Sequence, residues 1–191
     1  MSETLIKVLN KTGSIAVIPT DTVYGVVARA EDRQAVKKLY DLKNRENKPG
    51  TLIASSIKQL EELGFKHRYL KAVEEFWPGP ISVIIPTSDP NLEYLTLKKM
   101  SLAVRVTNDI NLINLLSQVG PILTSSANQP GETPAKNINE AKAYFGNKVD
   151  YYQDGGDIKD NKPSTIIKII DDAIEVVRQG GIKIIDGKIA K

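Results

Sequence analysis

The sequence predicts an α/β fold, a twisted mixed sheet with helices on its faces. Two observations carry this. Over most of the 191 residues, short apolar runs rich in β-branched side chains alternate with stretches of helical periodicity, the pattern of strands interleaved with helices. The last third changes character: "STIIKIIDDAIEVVRQGGIKIIDGKIAK" reads as successive strands joined by short polar turns. Hairpins of that kind bring antiparallel pairing into the sheet, which makes it mixed rather than purely parallel.

The strands are predicted at residues 15–18, 51–54, 81–85, 102–106, 122–124, 149–152, 165–170, 174–178 and 182–185. Pro19 stops the first. Helices are marked by their caps. Asp32 precedes Val36, Leu39 and Tyr40 at helical spacing, and Ser56 precedes Ile57, Leu60 and Leu63 with Gly64 as the stop. Asp109 opens a helix through Ile110, Ile113 and Leu116 that ends at Gly120, and Asn139 caps a short helix ending at Gly146. In the last third the turns fall at Asp171-Asp172, Gly180-Gly181 and Asp186-Gly187, the last a two-residue hairpin turn. "FWPGPISVII" is structural: Phe76 and Trp77 supply apolar area, and Pro78-Gly79-Pro80 bends the chain into the next strand.

Composition narrows the function. The chain is 41% hydrophobic and 26% charged, as soluble globular proteins are, and has no apolar run near the roughly 20 residues that span a bilayer. The charged start "MSETLIKVLNKTGS" lacks the apolar core of a signal peptide, so a cytoplasmic protein is expected. There is no cysteine, which excludes disulfides, thiol nucleophiles and thiolate metal sites. The single histidine, His67, excludes HExxH and multi-histidine centres, and is read as a solvated surface residue between helices. A net charge of +3 and a pI near 8.9 suit anionic ligands. GxxxxGK[ST] and GxGxxG are both absent, so P-loop and dinucleotide-binding Rossmann readings have no support.

Five polar stretches sit at strand ends, where α/β proteins bind ligands. "PTDTVYG" packs Thr20, Asp21 and Thr22 behind a proline, more hydrogen-bonding side chains than a turn needs. "LKNRENKPG" sets Lys43, Arg45 and Lys48 between a helix and a strand: either a phosphate clamp or a solvated helix end. Arg105, alone on a short apolar strand, needs a partner. That partner is either Asp109 or another acid, or a bound carboxylate or phosphate. "GPILTSSANQPGETPA" offers Thr124, Ser125, Ser126 and Asn128 as pocket wall or as backbone caps. Ser164 in "KPSTIIKII" and Arg178 in "VVRQGG" read singly as a strand start and a turn.

Taken in order, "PTDTVYG", "LKNRENKP", "WPGPISVI", "AVRV", "TSSANQPGETP", "PSTII" and "VVRQGG" resemble the threonylcarbamoyl-AMP synthase family (YrdC-like proteins) from about residue 15 to residue 180. The chain is similar to the family's short form, with residues 1–191 as one YrdC-like domain. The family often has proline directly after the clamp arginine, where this chain has Glu46. The resemblance implies a sheet enclosing a large cavity, and an enzyme, a nucleotidyltransferase of the L-threonylcarbamoyladenylate synthase type. Such an enzyme makes threonylcarbamoyl-AMP and pyrophosphate from L-threonine, bicarbonate and ATP, with magnesium accompanying the ATP. The product feeds threonylcarbamoyl-adenosine modification of tRNA through downstream transfer proteins.

By the same resemblance, Lys43 and Arg45 are the catalytic pair, and ATP is bound by Lys43, Arg45, Lys48, Ser101, Asn128, Lys136 and Arg178. L-threonine is held by Thr22, Arg105, Ser126 and Ser164, and no side chain is a metal ligand. A rival from another class is an RNA-binding module gripping a phosphate backbone. The net charge favours it, but 6% aromatic residues and the lack of an RNA motif oppose it. A nucleotide-binding domain without turnover keeps the clamp and leaves the hydroxyl-rich stretches unexplained.

Overall fold

The computed structural model describes residues 1–45, 47–158, 162–171, 173–185 and 188–189. Its strands are β1 (Ile15–Pro19), β2 (Tyr24–Arg29), β3 (Thr51–Ala54), β4 (Ile81–Pro86), β5 (Ser101–Val106), β6 (Ile122–Ser126), β7 (Tyr151–Tyr152), β8 (Thr165–Ile170), β9 (Ala173–Arg178), β10 (Ile184–Ile185) and β11 (Lys188–Ile189). The helices are α1 (Glu3–Leu9), α2 (Arg33–Leu42), α3 (Ile57–Leu63), α4 (His67–Lys71), α5 (Glu93–Thr96), α6 (Ile110–Val119) and α7 (Ile138–Phe145). Nine strands form one sheet in the order β7-β1-β2-β6-β3-β5-β4-β8-β9. It is mixed, as expected: β3 runs parallel to β5 and β4 to β8, while β1–β2, β2–β6 and β8–β9 are antiparallel.

The apolar runs are continuous because both sheet faces are covered. Along β1 the side chains alternate: Ile15 and Val17 enter one core with Val36 and Leu39 of α2, and Ala16 and Ile18 enter the other with Leu5 and Leu9 of α1 and Leu112 and Leu116 of α6. At 25 cal/mol per Å² of apolar surface, each fully buried Leu or Ile stabilises the fold by about 2 kcal/mol. Helix starts follow the cap chemistry. Asp32 accepts from the Gln34 and Ala35 amides, Ser56 from Gln59 and Asp109 from Leu112. Gly64 closes α3 at φ 117°, a left-handed conformation that glycine adopts without a Cβ penalty.

Several expectations are corrected. The first strand continues through Pro19, which pairs with Tyr24. The apolar residues after "PTDTVYG" are a strand, β2, so residues 20–23 form the turn of a β-hairpin. The cap of α7 is Asn137, whose side chain accepts from Glu140, not Asn139. Residues 149–152 contribute only Tyr151–Tyr152 to the sheet. The segment after Gly180-Gly181 leaves the main sheet, since β10 and β11 pair only with each other. Helix α1, capped by Ser2, was not signalled. Glu46, Asp172 and the Asp186-Gly187 turn lie outside the described residues. His67 is exposed as expected, but it opens α4 and pairs with Glu61. Among the described residues no helix is long and apolar enough to cross a membrane.

Candidate functional site

The strand order carries the five polar stretches to two adjoining cavities that share Arg45 and Ser126. The inner one, about 110 Å³, is walled by the β1–β2 turn, β5, the end of β6, the start of β8 and the end of β9. The outer one, about 520 Å³, lies between the segment after α2 and the loop after β6.

In the β1–β2 turn, Thr20 is the structural hydroxyl. It donates to the Val23 carbonyl at 2.6 Å, accepts from the Val23 amide, and sits 3.1 Å from Thr22 Oγ1. That leaves Thr22 facing the inner cavity. Gly25 follows because a Cβ there would fall 2.5 Å from Thr124 Oγ1, another hydroxyl of the inner wall.

Helix α2 stops at Lys43, and Asn44 takes φ 47°, a left-handed turn that asparagine tolerates. The reversal gives Lys43 and Arg45 different roles. Lys43 is buried: its ammonium donates to the Ser126 carbonyl at 2.9 Å, to the Asn128 carbonyl, and to Asn128 Oδ1 at 3.2 Å. Ser126 Oγ donates to the same Oδ1 at 2.6 Å. Burial, and then the neighbouring Arg45, pull the Lys43 ammonium down to about 8. Arg45 reaches both cavities while Nη1 donates to the Lys48 and Pro49 carbonyls at 3.0 and 3.1 Å, closing its own loop.

Strand alternation puts Ala103 and Arg105 on the cavity face of β5. Arg105 is 2% exposed, and its Nη2 lies 2.6 Å from Asp21 Oδ1; the other Asp21 oxygen accepts from Thr107 at 3.2 Å. The acid partner is therefore Asp21 and not Asp109, whose carboxylate caps α6. Across the cavity, Arg178 donates to the Ser164 carbonyl through Nε at 3.2 Å and Nη2 at 2.8 Å. Burial lowers the Arg178 guanidinium from its ordinary range, and the like charges of Arg105 and Arg45 lower it further. Three guanidinium groups thus face one small space, with the Asp21 carboxylate already committed to Arg105. Arginine stays charged under such pressure, so the cavity favours anions.

Thr22, Arg45, Arg105, Ser126, Ser164 and Arg178 line the inner cavity; Lys43, Arg45, Lys48, Ser126 and Asn128 line the outer. Ser101 and Lys136 line neither. Ser101 begins β5, its hydroxyl 3.4 Å from the Lys99 carbonyl, and Lys136 is exposed with its amide on Glu140. The sequence alone assigns no role to Asp21, although that acid sits in the first stretch singled out. Nor does it single out Ser82, whose signal is a lone hydroxyl inside the apolar run "ISVII".

Comparison with known proteins identifies the family and the fold. A family model named for Sua5, YciO and YrdC, described as telomere recombination, matches residues 8–180. A Coxiella burnetii protein named threonylcarbamoyl-AMP synthase is 37% identical over 155 residues, covering 78% of this chain and 82% of that one. The crystal structure of P. abyssi Sua5 complexed with L-threonine superposes with a TM-score of 0.82 at 27% identity, covering 94% of this chain but 54% of that longer protein. E. coli YciO, 23% identical, shares the fold at a TM-score of 0.79 over 93% of this chain and 88% of that one. With the family model spanning residues 8–180, this protein belongs to the Sua5/YciO/YrdC family.

Proposed function

We infer that this chain is an L-threonylcarbamoyladenylate synthase, a nucleotidyltransferase forming threonylcarbamoyl-AMP and pyrophosphate from L-threonine, bicarbonate and ATP for tRNA modification. The observation that carries the inference is the convergence of Arg45, Arg105 and Arg178 on a small cavity beside a larger one, with Arg45 and Ser126 lining both. We assign the amino acid to the inner space and the nucleotide to the outer, which makes the shared wall the place where they meet. We read residues 1–191 as one domain carrying that site.

In the overall reaction the threonine nitrogen bonds to the bicarbonate carbon with loss of water, an oxygen from bicarbonate bonds to the α-phosphorus of ATP, and the bond to the β-phosphate breaks to release pyrophosphate. The balance is the same whichever bond forms first. Phosphoryl chemistry of this kind needs positioning and charge neutralisation more than covalent help. Arg105 pairs with the amino-acid carboxylate as a preformed donor fork. Thr22, Ser126 and Ser164 surround the amino acid, and Arg45, Lys48 and Asn128 serve the phosphates and nucleotide. Arg178, expected on ATP, lines the inner cavity and so stands on the amino-acid side. Ser101 and Lys136 would reach ATP only from outside the two cavities. Lys43 acts one step back, fixing the carbonyls of Ser126 and Asn128.

Among the described residues no three Asp, Glu or His side chains gather, and Asp21 is paired with Arg105. The described residues thus offer no carboxylate nest for a divalent cation. Magnesium would come with the phosphates of ATP, and no step is assigned to it. Pyrophosphate release from ATP tests the reading. It should require threonine and bicarbonate together; release that ignores threonine would refute the synthase reading.

A further inference from the structure

Ser82 is wholly buried on β4, and its hydroxyl donates to Ser164 Oγ at 3.0 Å. Arg178 Nη2 donates to the same oxygen at 3.1 Å. A serine hydroxyl accepts two hydrogen bonds and donates one. With both lone pairs taken, Ser164 has only its own O–H left to give, and among the described residues nothing accepts it. Ser164 is 4% exposed and its opening is to the inner cavity.

With the Ser164 carbonyl already held by Arg178, the free hydrogen-bonding groups of this corner are donors. Arg178 and the Ser164 hydroxyl stand on one side, and the charge of Arg105 acts on Arg178 from the other. An ammonium, which only donates, finds no acceptor there, whereas a carboxylate finds several donors. We propose that Ser82 is a positioning residue that fixes Ser164 as a hydrogen-bond donor to the amino-acid carboxylate. Ser82 thereby sets which end of the amino acid enters this corner, and the amine is left facing the shared wall where the carbamate forms. The proposal rests on threonine being the substrate.

Ser82→Ala, which removes the donor, and Ser82→Cys, which fills the place with a weaker donor, test it, with a thermal melt to show that each variant is folded. Ser82→Ala frees one lone pair of Ser164 and lets its proton turn away, and Ser82→Cys should do so in part. In Ser82→Ala the KM for threonine should rise roughly 3- to 10-fold, the scale of one neutral hydrogen bond, with kcat and the KM for ATP within about twofold. In a Ser164→Ala background the Ser82→Ala change should add less than about twofold, because Ser82 acts through that oxygen. Competition by α-aminobutyrate, which keeps the carboxylate and lacks the hydroxyl, should weaken by the same factor as threonine.

An unchanged threonine KM in folded Ser82→Ala overturns the proposal, and so does a Ser82 effect that persists without Ser164. A loss confined to hydroxylated amino acids would move Ser164 from the carboxylate to the side chain and overturn it as well. If the unmutated protein shows no threonine-dependent turnover, the synthase reading itself has failed, and this proposal falls with it.

Discussion

The Lys43 ammonium lies 2.9 Å from the Ser126 carbonyl oxygen, buried where α2 ends against the end of β6. The resemblance put Lys43 on ATP, but these bonds make it first a strut that sets the shape of the wall between the cavities.

A pH dependence follows. In the fold Lys43 loses its proton near pH 8, against an ordinary value of 10.5. Between those values the unfolded chain binds more protons than the native one, so this group makes stability rise with pH. The cation holding Ser126 and Asn128 disappears over the same range. The expected result is a kcat/KM that falls above about pH 8 with no matching fall in melting temperature. Lys43→Arg should move the alkaline limb upward, since a guanidinium keeps its charge; a limb that stays in place would mean another group titrates.

Arg45 faces both cavities, so its loss should be felt in the chemical step. Arg45→Ala should lower kcat/KM for ATP by about 2–4 kcal/mol, the cost of removing one preorganised charge donor. Full activity at subsaturating ATP would take Arg45 out of the site.

Asp21 balances the buried charge of Arg105, and its side chain is only 7% exposed. Asp21→Ala should destabilise the protein by about 3–5 kcal/mol, because a buried guanidinium is left without its carboxylate. Combining it with Arg105→Met should restore most of that stability but not threonine binding. Thermal melts of the three proteins check this, and equal losses in single and double variants would count against a coupled pair.

Amino-acid choice tests the hydroxyl-rich wall. Serine lacks only the methyl of threonine and should lose about 1–3 kcal/mol in kcat/KM. Valine fills the space but leaves Thr22 and Ser126 unpaired, so its loss should be larger, up to about 10⁴-fold or more. Valine outperforming serine would show that the wall reads shape alone.

Much of this was legible in the sequence because caps and apolar periodicity are local. Asp32, Ser56 and Asp109 each cap the helix they announce. Strand β2 is not legible in the sequence because "YGVVAR" follows a polar turn so closely that the hairpin hides its second arm. Thr22, Ser126 and Ser164 could be picked out as hydroxyls at strand ends. The Asp21–Arg105 and Ser82–Ser164 bonds could not, because each joins residues more than eighty positions apart whose pairing depends on strand order. Lys43 and Arg45 looked alike two positions apart. The left-handed turn at Asn44 separates them, and a motif carries no record of it.

The most direct test of the account follows the carbon of bicarbonate. The protein would be incubated with ATP, L-threonine and isotopically heavy bicarbonate, and its adenylate product weighed by mass spectrometry. If the protein is a threonylcarbamoyladenylate synthase, a threonine-containing adenylate carries the heavy carbon and forms in step with pyrophosphate. An adenylate with threonine but no heavy carbon, or pyrophosphate without any threonine adduct, would contradict it.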